Sequence, residues 1–106
     1  MIRIGKKILG DKYPCFIIAE IGLAHEGSVG IAKSFIDLIS DAGANAVKFQ
    51  MHIAKEESSF KEKFRKKFSS QDKSRWDYWK RTSFTLKQWK ELKNYSEKKK
   101  LIFFCS

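Results

Sequence analysis

Two charged residues close short apolar runs: Glu20 follows Phe16-Ile17-Ile18-Ala19, and Lys48 follows Ala44-Asn45-Ala46-Val47. Interior strands of a parallel sheet read as nearly continuous apolar runs because both faces are covered, so a charge that ends such a run is out of place as core. It fits the rim at the carboxyl ends of the strands, where a βα barrel keeps its chemistry. A carboxylate there can act as acid, base or hydrogen-bond acceptor for a polar substrate. A lysine at the neighbouring exit can hold a carboxylate or phosphate as a compact positive charge. Adjacent strands run about 4.8 Å apart, so both groups can share one pocket. Gln50 falls on the same face as Lys48 by strand alternation, and His25 and Glu26, on the loop above, have the reach to enter the same space. A rim salt bridge between Glu20 and Lys48, with no chemistry attached, is an equally economical reading.

The elements that position these residues follow a βα rhythm. Residues 2–9 read as an edge strand or hairpin arm around a Gly-Lys-Lys turn, and Pro14 resets the chain before a strand over 15–21. Ser28 is placed to cap a helix. In that helix Val29, Ala32, Ile36 and Ile39 form one apolar stripe and Ile31, Phe35, Leu38 and Ala42 a second, which together make a broad sheet-facing side. Gly43 sits where a helix stops, and a second strand over 45–49 follows at once. Strand, helix and strand with tight connections form a βαβ unit with parallel strands. A second helix is marked by Thr85 and Gln88 at capping-box spacing, with Phe84 stapling against Trp89. Leu86, Trp89, Leu92 and Tyr95 or Ser96 continue its apolar side, and Lys98, Lys99 and Lys100 suit the negative end of its dipole. A third strand, Leu101 to Cys105, closes the pattern.

Residues 51–83 interrupt this rhythm with a long βα insertion rich in basic and aromatic residues, among them Phe60, Phe64, Phe68, Trp76, Tyr78 and Trp79. A segment of this length inside a compact fold is usually functional or disordered, and its aromatics favour an ordered excursion.

Composition sets outer bounds. The 106 residues match one small domain. No stretch approaches the roughly 20 apolar residues of a membrane helix, and the start lacks the apolar run of a signal peptide, so the expected location is cytoplasmic. Cys15 and Cys105 lie in apolar runs and read as reduced, buried thiols. The net charge of +10 is uneven: residues 1–50 carry 6 basic and 5 acidic groups, residues 51–106 carry 16 and 7. No nucleic-acid module signature accompanies it, so a solvated basic face, with or without an anionic substrate, is the expectation.

The motifs Ile18-Ala19-Glu20-Ile21-Gly22, His25-Glu26-Gly27-Ser28 and Asp41-Ala42-Gly43-Ala44-Asn45-Ala46-Val47-Lys48-Phe49-Gln50 closely resemble the opening of the sialic acid synthase family. Arg75-Trp76-Asp77-Tyr78-Trp79-Lys80-Arg81, with Phe84-Thr85 and Gln88-Trp89, resembles its N-acetylneuraminate synthase or spore-coat polysaccharide synthase branch. The resemblance runs from residue 13 through nearly the whole chain. It implies condensation of phosphoenolpyruvate with an N-acylated amino sugar of the N-acetylmannosamine type, giving a sialic-acid-like nonulosonic acid and phosphate. By the same resemblance Glu20 contacts the sugar and assists proton transfer, and Lys48 holds phosphoenolpyruvate. Gln50 is then a polar neighbour at the same strand end, and Ser106 begins the phosphate-binding turn after the third strand. His25 and Glu26 match the family's loop motif, where Asn commonly precedes the histidine; here it is Ala24.

The resemblance further implies a divalent metal, manganese or magnesium, whose histidine ligands lie on later strands. It also implies a C-terminal antifreeze-like domain and a homodimer. His25 and His52 are not recruited as metal ligands, since two isolated histidines do not make a site. The expected fold is α/β, the N-terminal three-strand portion of a (β/α)8 TIM-type barrel, inactive alone because metal and most phosphate ligands are missing. Two other readings stand beside it. One is a non-catalytic basic module, resting on the interleaving of charge and aromatics in residues 51–106. The other is a fragment that completes a split barrel with another chain.

Overall fold

The computed structural model describes residues 1–59, 61–64 and 69–106; the readings placed on Phe60 and Phe68 lie outside the described residues. An antiparallel hairpin leads, β1 (Ile2–Ile4) and β2 (Lys7–Leu9), with Ile4 opposite Lys7. Its turn is therefore Gly5-Lys6 alone, with Gly5 at φ +59, because a two-residue turn matches the twist of paired strands better than the expected three. β3 (Ile18–Gly22), α1 (Val29–Asp41), β4 (Ala46–Phe49), α2 (Ala54–Glu57), α3 (Arg75–Thr82), α4 (Leu86–Lys98) and β5 (Ile102–Cys105) follow. β3, β4 and β5 form one parallel sheet in that order. β3 begins later than its apolar run suggests. Ile17 instead donates its N–H to Asn45 Oδ1 at 2.8 Å, and its carbonyl accepts from the N–H groups of Asn45 and Ala46.

Helix ends follow local chemistry. Ser28 Oγ accepts from the Ile31 N–H at 3.1 Å, and Gly43, at φ +85, lets the chain leave α1 in the left-handed conformation. Thr85 Oγ1 accepts from the Gln88 N–H at 3.1 Å while Gln88 Oε1 accepts from the Thr85 N–H at 2.8 Å, a full capping box. The Phe84 and Trp89 rings meet with centroids 5.0 Å apart, the expected staple.

Both long helices cover one side of the sheet. Ile21, Val47 and Phe49 from the strands meet Ala32 and Ile36 of α1 and Trp89 and Leu92 of α4 in a single core. The first α1 stripe is the buried one; of the second, Phe35 packs on the core but Ile31 and Leu38 stay exposed, since a helix on a sheet buries one stripe and one flank. Leu86 is 81% exposed, off to the side of the buried Trp89–Leu92–Ser96 stripe. The cysteines correct the expectation of buried thiols. Cys15 lies ahead of β3, outside the ladder, Cys105 is the last residue of β5, and both are exposed and free.

The insertion is ordered where described. Tyr78 is buried, Phe64 sits edge-on to it at 6.5 Å, and α2 packs against α3. No helix among the described residues is long and apolar enough to cross a membrane.

Candidate functional site

The core takes the odd-numbered residues of β3 and β4, so strand alternation turns Glu20 and Lys48 to the other face. They are register partners, with Phe104 of β5 beyond Lys48 in the same row. Lys48 Nζ donates to Glu20 Oε2 at 3.0 Å, and both side chains keep a substantial exposed fraction, 34% and 47%. Both groups are accessible to solvent, and an anion that reached Lys48 would have to displace the Glu20 carboxylate from it.

β3 breaks its register between Glu20 and Gly22, so that Gly22, at φ +59, stands opposite Phe49. Bulges of this kind re-aim side chains beside sites. A Cβ placed at Gly22 would lie 3.5 Å from Glu20 Oε1 and 3.7 Å from Gln50 Oε1. Those are ordinary contact distances, so it is the left-handed φ, not lack of space, that calls for glycine at this strand exit beside Glu20 and Gln50. Gly22 is a positioning residue the sequence reading passed over, although a glycine inside a strand signals a bulge or close approach. Ser106 joins the same rim through its backbone: its N–H donates to the Phe49 carbonyl at 3.1 Å, and its own carbonyl accepts from the Met51 N–H at 2.7 Å.

The loop residues do not enter this space. His25 is fully buried on the helix side, its ring 4.3 Å from Phe84 and 5.9 Å from Phe49. This corrects the expectation that it reaches the Glu20–Lys48 pocket, and the reason is the aromatic surface beneath the loop, which offers an imidazole more burial than the rim does. Its Nδ1 accepts from the Gly27 N–H at 2.9 Å, and its Nε2 has no hydrogen-bond partner among the described residues. Burial holds its pKa below the ordinary histidine value, against a smaller upward pull from Glu26.

Glu26 is drawn away too. Its carboxylate lies 3.4 Å from the Arg81 guanidinium, which is held mainly by Asp72 at 2.8 and 3.0 Å. The Arg81 hydrogen bonds hold the Asp72 carboxyl below its usual range, opposed by burial and helped by Ser69. At Gly27, φ +80, a Cβ would come within 2.8 Å of the Arg81 carbonyl oxygen, so α3 and the β3 loop touch backbone to backbone. No local sequence signal marks Asp72 and Arg81, because they meet only once α3 docks. His52 bonds Glu57 at 2.9 Å and stacks on Trp79 at 4.6 Å.

Alternating strands and helices, with Glu20, Lys48 and Gln50 at the carboxyl ends of a parallel sheet, define an α/β protein with its polar groups gathered at that rim. Residues 35–106 match the model of the NeuB family, and the chain belongs to that family. It is 35% identical to the N-acetylneuraminate-9-phosphate synthase of Mus musculus, over 92% of this chain and 28% of that protein. Among solved structures, the N-acetylneuraminic acid (sialic acid) synthetase from Leptospira borgpetersenii serovar Hardjo-bovis, in complex with citrate, superposes with a TM-score of 0.78 at 36% identity. That match covers 98% of this chain and 33% of the other. The spore coat polysaccharide biosynthesis protein SpsE of Bacillus subtilis gives 0.69 at 30% identity, over 98% and 26%. The chain therefore spans about a third or less of the length of these relatives.

Proposed function

We propose that this chain supplies the first part of the active site of a sialic-acid-type synthase in carbohydrate biosynthesis. The reaction joins phosphoenolpyruvate, an N-acylated amino sugar and water into a nonulosonic acid and inorganic phosphate. The observation that carries the reading is the Lys48–Glu20 pair, 3.0 Å apart and open to solvent, on the strand rim of a NeuB-family chain. Lys48 binds an anionic group of phosphoenolpyruvate by exchanging its carboxylate partner for the ligand, a role suited to a mobile point charge. Glu20, so released, accepts a hydrogen bond from a sugar hydroxyl and takes or returns a proton there. Gln50 orients the same hydroxyls, and Ser106 offers its hydroxyl beside the phosphate. Glu26, tied to Arg81, contributes by fixing the loop.

The divalent metal that the family resemblance implies does not fit the residues here. Among the described residues no three histidine, cysteine, aspartate or glutamate side chains group to hold one. This chain's part is to bind and orient substrate. The remaining barrel strands, the antifreeze-like domain and the homodimer of the resemblance belong to the same proposal.

The test is titration of the chain with phosphoenolpyruvate, followed by the amide and Lys48 side-chain NMR signals. Saturable shifts confined to the exits of β3, β4 and β5, lost in Lys48→Ala, are expected. Mixing the chain with phosphoenolpyruvate, N-acetylmannosamine and manganese is expected to release no phosphate. Shifts unaffected by Lys48→Ala, or robust phosphate release, would overturn the reading.

A further inference from the structure

The outer surface between α1 and α4 holds a groove of about 450 Å³ lined by Lys33, Lys87, Lys90, Lys98, Glu91, Asn94 and Tyr95. Positions 87, 90, 94 and 98 recur at helical spacing, so they form one stripe along α4. At about 1.5 Å per residue the stripe runs roughly 16 Å. Lys33 crosses from α1 and pairs with Glu91 at 2.6 Å, which neutralises the one acid of the lining. Lys87, Lys90 and Lys98 form no ion pair with any described carboxylate. Like charges on one helix face destabilise it slightly, so an unbalanced stripe is a cost of local stability that a partner of opposite sign removes.

The chemistry of the lining narrows the partner. Single-stranded nucleic acid is held by aromatic platforms on which bases stack. The one ring in the lining, Tyr95, is already committed: its hydroxyl donates to Asp37 at 2.6 Å, and Lys33 and Lys99 sit over the ring at 5.3 and 5.7 Å. Phosphate readers favour the bidentate guanidinium fork, and the lining holds no arginine. Separate ammonium charges flanking one amide suit carboxylates on a peptide, with Asn94 able to donate to and accept from its backbone. Alternate side chains of an extended peptide recur about every 6.7 Å, so three acidic residues span most of the stripe.

We propose that the α1–α4 groove is a docking surface for an extended acidic peptide segment of a partner protein. It is independent of the rim site, since none of its residues touches Glu20 or Lys48. The experiment titrates the isotope-labelled chain with a ten-residue glutamate- and aspartate-alternating peptide at low salt. A same-length oligodeoxythymidylate and a short polyphosphate serve as competitors. Amide shifts centred on α4 and Lys33 are expected, with about tenfold weaker binding in the K87E/K90E/K98E variant. Lys6, Lys7 and Lys12 reversed to glutamate should leave binding unchanged, which controls for net charge. All six positions are solvent-facing, so both variants are expected to fold. Shifts spread over every lysine, equal losses in the two triple variants, or tighter binding of the oligonucleotide or polyphosphate would overturn the proposal.

Discussion

The sheet with its two long helices and the insertion between β4 and α4 are held together by different forces. The first is an apolar core in which Ile36, Val47, Phe49 and Leu92 are fully buried. The second is fastened by polar and ring contacts: Arg81 to Asp72 and Glu26, His52 to Trp79 and Glu57. Non-directional burial fixes the sheet on which Glu20 and Lys48 face each other, whereas directional contacts fix how the insertion meets the loop above them. Loss of a core group should therefore unfold the chain, and loss of an insertion contact should act locally.

The strongest challenge to this contrast is Leu92→Ala, which leaves a cavity between α4 and the sheet. It should cost about 2–5 kcal/mol in urea unfolding, and a small loss would mean the core is not what holds the sheet. Gly27→Ala tests the seam, where φ +80 and the Arg81 carbonyl leave a side chain no room. A loss of about 1–3 kcal/mol is expected from backbone strain, with faster amide exchange in the β3 loop and α3 than in β4.

The pH dependence of stability probes the same seam through His25. Its proton affinity is lowered in the folded state, so the unfolded chain binds the proton first. Stability should be fully present above about pH 6.5 and decline as pH falls below that value toward the folded-state pKa. His25→Phe should flatten this part of the profile; an unchanged profile would show that the buried ring is not its source. The smallest effect is expected at Leu86→Gln, within about 0.5 kcal/mol, because that side chain is already in water.

Much of the fold was legible because its signals are local. Ser28, Gly43 and the Thr85–Gln88 box each act within one helical turn, and each caps or ends its helix as its residue type dictates. The rim pair was legible because alternation fixes the face of a strand residue: Glu20 and Lys48 emerge side by side. What misled was apolarity taken as burial. Leu86, Ile31, Leu38 and both cysteines sit in apolar patterns and are exposed, since pattern ranks the sides of an element without saying how far its neighbours extend over them. His25 misled in the other direction. Its polar type pointed to a site, but the rings of Phe84, Phe49 and Trp89 lay within reach and took it into the core.

The sequence by itself determined the succession of β3, α1, β4, α4 and β5, the caps of those two helices, and the two charges at neighbouring strand exits, all consequences of short-range stereochemistry and period; the helices α2 and α3 inside the insertion were not read from it. Only the tertiary structure decided that β3 would shift register between Glu20 and Gly22, that His25 would turn inward, and that Arg81 would tie Asp72 to Glu26. Those outcomes depend on which surfaces meet once α3 and α4 dock, and the distance from residue 26 to residue 81 along the chain carries no trace of their meeting in space.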